Sequence, residues 1–389
     1  MTARPNRPIY LDNQATTACD PRVLAKMLPW FTEQYGNPHS AEHVMGQAAE
    51  AAVEAARAEI AALIGADIRE IVFTSGATES NNIAIKGAAR FAARAGDPRK
   101  RIITLATEHK CVLESVADLA EDGFEPVVLP VRPDGILDPE VLRAALATPT
   151  LLVSVMAVNN ETGVIQDIAG LAALAHAAGA LFHTDAAQAT GKIPLDVAAM
   201  RLDLLSISGH KLYGPKGVGA LYVRRRPRVR LAPLFSGGGQ ERGLRSGTLP
   251  APLVIALGEA CRLAGQDMAA DAARIATLRD RLLSGLRAAI PGLTINGNWD
   301  HRIPGNLNLT FPAGTAAGLM RVMPELCVST GSACSSAAVE PSYVLRALGL
   351  SDETAGRTLR VGIGRFTSAA EIDAACALFA AAYATLTEA

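Results

Sequence analysis

The sequence carries almost no surplus of either charge: 37 lysines and arginines stand against 38 aspartates and glutamates, for a formal net charge of −1 over 389 residues. Capture of nucleic acid or of an anionic membrane surface needs a clear cationic excess, so both are set aside in favour of small-molecule chemistry. Long apolar runs are also missing. The start, MTARPNRPIYLDN, has no apolar core of signal-peptide length, and LLVSVMAV (151–158) is far short of a membrane span. A soluble, cytoplasmic protein with no membrane partner is expected. Its six cysteines (Cys19, Cys111, Cys261, Cys327, Cys334, Cys376) form no C-x-x-C pair. That excludes the usual zinc and redox spacings, and free thiols that mostly serve as packing are expected. There is no internal repeat, and no G-x-G-x-x-G follows the first strand, which excludes a nucleotide-binding Rossmann fingerprint.

What is present is alternation. From about residue 70, short β-rich runs (EIVFTS, RIITLA, PVVLPV, LLVSVMAV, ALFHTDA, DLLSIS, GVGALYV) are interleaved with helical patterns at 78–94, 109–122, 138–147 and 167–178. Such repetition predicts an α/β fold with a mainly parallel sheet covered on both faces. Asp138 and Pro139 supply an N-cap and a first-turn proline, while Gly65, Gly123 and Gly179 stand where helices stop. After residue 250 the pattern shifts to a long Ala/Leu/Arg helix (253–289) and weaker strands. The length implies two domains, with the change near residue 261.

In a parallel sheet, ligands gather beyond the carboxyl ends of the strands. After IVFT, the stretch SGATES opens a helix whose free N–H groups suit an anion such as a phosphate; a plain strand-to-helix turn is the blander reading. FHTDAAQ ends an apolar strand on Asp185, a costly place for a carboxylate without a positive partner. SISGHKLYGPKG brings Ser208, His210 and Lys211 to the same edge, and a desolvated lysine there is an amine nucleophile rather than a surface charge. A phosphate cradle, a buried acid and such an amine together describe a site for pyridoxal 5'-phosphate. His109 in TEHKCV is placed to stack on the ring and shuttle protons, or merely to cap a helix. Asn160 or Gln188 can donate to the cofactor's phenolic oxygen. GGGQERGLRSGT suits a second phosphate-contacting loop. The run VRRRPRVR (223–230) reads as a solvated face, with an acidic acceptor or tRNA as the alternative.

The motifs YLDNQATT, FTSGATESNN, TEHK, VNNETGVIQDI, HTDAAQ, SGHKLYGPKGVGALYVRR, GGGQERGLRSGT, STGSACSS, EPSYVLRALG and LRVGIGRFT occur in the order seen in pyridoxal-phosphate cysteine desulfurases of the NifS/IscS group. The chain resembles that group, within the class V aminotransferase-like enzymes, over nearly its whole length. The resemblance implies the fold type I architecture of PLP-dependent transferases. That means a large domain at 19–261 with a seven-stranded sheet, and a smaller α+β domain from 1–18 and 262–389 carrying a mobile catalytic-cysteine loop at about 328–341. It makes Lys211 the Schiff-base lysine and Asp185 the partner of the pyridine nitrogen. Gln188 and Asn160 contact the ring oxygen, and His109 lies over the ring. Ala77, Thr78, Ser208 and His210 bind phosphate, with Thr248 supplied by the other subunit of a homodimer. Arg360 clamps the carboxylate of the substrate, L-cysteine, and Asn37 belongs to a motif near it.

Cys334 matches the cysteine that takes the substrate sulfur as a persulfide, and the small residues around it, Gly331 included, lower the cost of loop movement. The persulfide would pass to a sulfur acceptor such as an iron-sulfur scaffold protein, or through a thiolation partner to tRNA or a cofactor. The chain ends at AAYATLTEA, short of the docking tail of IscS-type members, which leaves the scaffold open. Gly362 in VGIGR stands where relatives often carry serine. A class V aminotransferase or selenocysteine lyase would keep the cofactor set and dispense with Cys334. A non-catalytic sulfur-transfer scaffold would need none of Lys211, Asp185 and His109.

Overall fold

The structure, a computed structural model, describes residues 8–330 and 341–387; Gly331 and Cys334 lie outside them. Strand β1 (Ile9–Tyr10) belongs to the smaller part of the molecule. The next seven strands, β2 (Ile71–Thr74), β3 (Arg101–Leu105), β4 (Glu125–Leu129), β5 (Thr150–Ser154), β6 (Leu181–Asp185), β7 (Leu204–Ser208) and β8 (Gly219–Val223), form one sheet in the order β2-β8-β7-β6-β5-β3-β4. Only β8 runs against its neighbours. The central strands β5 and β7 are buried at every position, as a sheet covered on both faces requires.

The seven β-rich runs of the sequence are these seven strands. Expected boundaries hold to within a few residues: helices span Ala77–Arg94, Lys110–Asp118, Pro139–Ala145 and Ile168–Ala177. Asp138 caps its helix by accepting from Glu140 N–H at 2.9 Å, and Gly65, Gly123 and Gly179 all have φ between 68° and 79°. The run 151–158 outlasts β5 for a reason. Val155 and Ala157 N–H groups still bond the carbonyls of His183 and Asp185 on β6, at 3.0 and 2.9 Å, so the extended chain continues past the sheet.

The long helix is unbroken from Ala251 to Ala289, about 58 Å at 1.5 Å per residue. Residue 261 falls inside it. Its first half, to Ala264, is buried in the apolar core under the large sheet, and from Leu278 it enters a second apolar cluster. That second cluster also holds Ile9 and Leu11, strands β10 (Asn306–Thr310) and β12 (Thr358–Gly362), and one face of the helix Ala369–Thr387. Beside them lie β9 (Thr294–Ile295), paired with β10, and β11 (Leu326–Cys327), paired with β1. The helix Ala369–Thr387 is long and apolar enough to cross a membrane, yet Ile372, Ala375, Phe379 and Ala382 lie against this core.

Candidate active site

The carboxyl ends of β2, β3, β5, β6 and β7 open onto a chamber of about 620 Å³, within the range of small-molecule sites. Ala77, Thr78, His109, Asn160, Asp185, Gln188, Ser208, His210, Lys211 and Arg360 all line it. Asn37 and Thr248 do not. Both are exposed, and Asn37 Oδ1 accepts the N–H of His39 at 3.0 Å within its own turn.

Lys211 follows β7 on a single 3₁₀ turn, Gly209–Lys211. The segment Gln14–Thr17 lies across that turn. Thr17 N–H and Oγ1 both donate to His210 O (2.9 and 3.0 Å), and Tyr213 N–H donates back to Thr17 Oγ1 at 2.9 Å. Lys211 Nζ in turn donates to the carbonyls of Gln14 (2.5 Å) and Ala15 (2.7 Å). Gly362 makes this arrangement possible. A Cβ there would come within 1.9 Å of Gln14 Oε1 and 2.7 Å of Asn13 N. With glycine, Asn13 Nδ2 donates to Gly362 O at 2.8 Å, and the backbone that anchors Lys211 rests directly on β12.

Asp185 ends β6 only 4 % exposed. Its Oδ1 accepts Ala187 N–H at 2.9 Å and its Oδ2 accepts Asn81 Nδ2 at 2.7 Å. Asn81 also donates to Cys111 Sγ at 3.1 Å, and that sulfur lies 3.0 Å from His109 Nδ1. His109 caps the helix Lys110–Asp118, accepting Cys111 N–H at Nδ1 (3.2 Å), and it also lines the chamber. With Nδ1 accepting, a neutral ring carries its proton on Nε2. Burial lowers the pKa of His109 and Lys211 lowers it further, while Asp185 pulls it upward. Burial, with the charges of Lys211, Lys216 and Lys192, pushes His210 down to about 4. Cys111, which the sequence did not single out among its thiols, lines the chamber, and burial pushes its thiol up to about 12.

Sequence reasoning missed Asn81, Cys111, Gln14, Glu79 and Lys216. Asn81 sits one helical turn beyond the SGAT opening and Cys111 two residues after His109, so motif proximity was their only signal. Glu79 is held by Arg245 from the glycine-rich loop, at 2.8 Å, a contact with no local signature.

Charged and polar groups converge here with unspent capacity. Among the described residues, Asn160 Oδ1 and Arg360 Nε are buried without hydrogen-bond partners, although Arg360 also donates to Asn160 O (3.0 Å) and to Asp12 Oδ1 (2.8 Å). Buried polar atoms in that state are costly unless a ligand completes them. A helix N-terminus for a phosphate, a carboxylate for a ring nitrogen, an amine and an underused guanidinium fit pyridoxal 5'-phosphate bearing an amino acid. Among the described residues, no group of three or more His, Cys, Asp or Glu is arranged to hold a metal ion.

Comparison with known proteins agrees with this chemistry. Residues 9–375 match the model of the family described as aminotransferase class-V. A mitochondrial cysteine desulfurase of Arthroderma benhamiae is 57 % identical over 368 residues, covering 95 % of this chain and 73 % of that one. Among solved structures, a NifS-like protein superposes with a TM-score of 0.90 at 35 % identity, covering 97 % and 100 % of the two chains. A structure described as SspA in complex with cysteine has a TM-score of 0.81 at 37 % identity, covering 92 % and 99 %.

Proposed function

The chain belongs to the aminotransferase class-V family, and from that premise we propose that it is a pyridoxal 5'-phosphate-dependent cysteine desulfurase. It takes the sulfur of L-cysteine and releases L-alanine. The observation that carries the reading is the convergence of Lys211, Asp185 and the open end of the helix Ala77–Arg94 on one chamber. When bound, pyridoxal phosphate supplies an electron-accepting ring and a carbonyl carbon that an amine can capture.

The remaining work falls to the chain. N–H groups at Ala77 and Thr78, with Ser208 and His210, hold the phosphate, and Thr248 joins them from a second copy in a homodimer. Asp185, aimed by Asn81 and the Ala187 N–H, accepts a hydrogen bond from the ring nitrogen. Asn160 and Gln188 face the ring oxygen. Lys211 would tether the cofactor through its amine and, once freed, would take the proton from the Cα of the substrate. Arg360 and Asn160 bind the substrate, Arg360 through its carboxylate; Asn37 approaches from outside the single-chain chamber. His109 would lie over the ring, and its lowered pKa favours the neutral imidazole.

Cys334, outside the described residues, is assigned by its sequence motif. Its thiolate bonds to the substrate sulfur while the C–S bond breaks. The electron pair of that bond goes to carbon, and protonation there completes L-alanine. The persulfide then passes to an acceptor for iron-sulfur cluster assembly or for thiolation of tRNA or cofactors. The five described cysteines are free thiols, which suits a reducing compartment such as the cytoplasm. We also propose a large domain at 19–261 and a small one from 1–18 and 262–389, supported by the two apolar clusters.

The test is incubation of the holoprotein with L-cysteine and no reductant, followed by intact and peptide mass analysis. One added sulfur atom on Cys334, with L-alanine released, is expected. Elemental sulfur and alanine from a Cys334→Ala variant at the parent rate would make the protein a lyase, and an oxo-acid product would make it an aminotransferase.

A further inference from the structure

Lys192 lies outside every motif that gives the chamber its chemistry. It is half-buried, four residues beyond Gln188 on the turn that follows β6, where Thr190 and Ile193 N–H groups bond back to Ala186 and Ala189. Residues four apart on such a turn share a face, and Lys192 Nζ donates to Gln188 Oε1 at 2.7 Å. Gln188 itself is 3 % exposed, and its Nε2 donates to Gln14 O at 2.8 Å.

A carboxamide has two nearly isosteric ends with opposite chemistry: an oxygen that accepts and an NH2 that donates twice. Rotating it by half a turn would present an acceptor where a donor is needed. Here both neighbours forbid the rotation. The Lys192 ammonium can only donate, so it demands the oxygen. The Gln14 carbonyl can only accept, so it demands the nitrogen. After those two bonds, one Nε2–H of Gln188 remains unassigned, in a residue that lines the chamber.

We propose that Lys192 is a positioning residue that locks the Gln188 carboxamide with its nitrogen toward the chamber, so that Gln188 meets the ring oxygen of the bound cofactor as a hydrogen-bond donor. This rests on the pyridoxal-phosphate reading of the site. The same Gln14 carbonyl also receives Lys211 Nζ, so a disturbed Gln188 is felt at the tethering amine too. Burial, with the nearby charges of Lys211 and Arg360, holds the Lys192 ammonium down to about 7. Its other charged or titratable surroundings are His210, and Tyr213 and Asp271 around a small cavity that Lys192 also lines.

A hydrogen-bond donor stabilises an oxyanion on the ring, so losing it raises the pH at which the bound cofactor changes absorbance. The experiment titrates the near-ultraviolet and visible absorbance of the pyridoxal-phosphate holoprotein and compares Lys192→Met, Gln188→Ala, the double variant and Lys192→Arg. Each of the first two is expected to raise the midpoint by roughly half a pH unit or more. The double variant should match Gln188→Ala alone, because Lys192 acts through that amide, and Lys192→Arg should return toward the parent. Additive shifts, or a Lys192→Met midpoint equal to the parent, overturn the proposal.

Gln188→Glu gives an independent check that leaves Lys192 in place: it keeps the partner of Lys192 and removes the donor, so its midpoint must rise as well, and an unchanged midpoint overturns the proposal. A parent protein that shows no bound-cofactor absorbance at all would instead bring down the underlying assignment of the chamber.

Discussion

Two cavities of similar size differ in nearly everything else. The chamber at the sheet edge encloses about 620 Å³, and a second cavity of about 480 Å³ is lined by Arg69, Arg224, Arg225, Arg226, Arg228, Arg230 and Arg242. In the chamber, groups of both signs arrive on loops far apart in sequence, are held by buried partners and keep unpaired atoms in reserve. Most of the arginines of the second cavity come from one continuous run, and Arg225, Arg226, Arg228 and Arg230 are exposed. Glu241 is the one carboxylate among the described residues that line it. It turns inward, bonding Arg57 through both oxygens at 2.8 Å and Phe73 N–H at 2.7 Å. Volume and charge do not make a reaction site. Opposed groups, fixed and incompletely satisfied, do.

The largest expected effect separates the two directly. Lys211→Ala should abolish the tethered-cofactor absorbance and lower turnover by at least about a thousandfold. A variant that kept a borohydride-reducible bond to the cofactor would put the tether on another lysine and break the contrast. Next is the ion pair under the arginine cavity. Arg57 is 4 % exposed, stacks 4.4 Å over Phe73 and is paired to a carboxylate that is itself buried. Arg57→Leu leaves Glu241 without its partner and should cost about 3–5 kcal/mol in denaturant unfolding, with cofactor chemistry intact in the protein that remains folded. A cost below about 1 kcal/mol would show that the pair is not part of the support.

Acid should sharpen the difference, because arginines keep their charge while the strand beneath the chamber titrates. His183, fully buried on β6 between Ser154 Oγ (2.8 Å) and Ser206 Oγ (3.0 Å), is pushed by burial down to about 3. Its folded pKa lies below the unfolded value. Its contribution to stability is therefore complete above about pH 6.5 and is lost as the pH falls toward 3, with a slope of at most about 1.4 kcal/mol per pH unit. His210, at about 4, acts in the same direction. Unfolding free energies of the apoprotein between pH 7 and 4 should fall accordingly, and His183→Asn should flatten that slope. An identical slope in the variant would refute the assignment. The smallest effect belongs to the surface run: Arg225→Ser with Arg228→Ser should change stability by less than about 0.5 kcal/mol per substitution and leave cofactor affinity unchanged. Loss of cofactor would mean that the cavities are coupled.

The strands and the order of their loops were legible because period and apolarity are local. The same holds for Lys211, Asp185 and His109, each of which lies at the end of a strand or within four residues of it. Cys111 was not singled out because a thiol two residues into a helix carries no mark of what lies opposite, and here Asn81 and His109 lie opposite. The long helix at 253–289 was visible, but not that its packing partner changes along it, because the backbone runs on unbroken while the core beside it is replaced. Gly362 looked like a neutral difference from serine. The contact that explains it joins positions about 350 apart.

The amino-acid sequence alone determined the layered sheet, the edge at which chemistry gathers and the kinds of group found there, because each depends on spacing within one strand-loop-helix unit. Only tertiary structure decided which atoms of those groups are engaged and which are left over. It laid Gln14 across β7 and β12, set Asn81 against Asp185 and turned the oxygen of Gln188 toward Lys192. A hydrogen bond is fixed by two partners at once, and several in this chamber join residues more than a hundred positions apart.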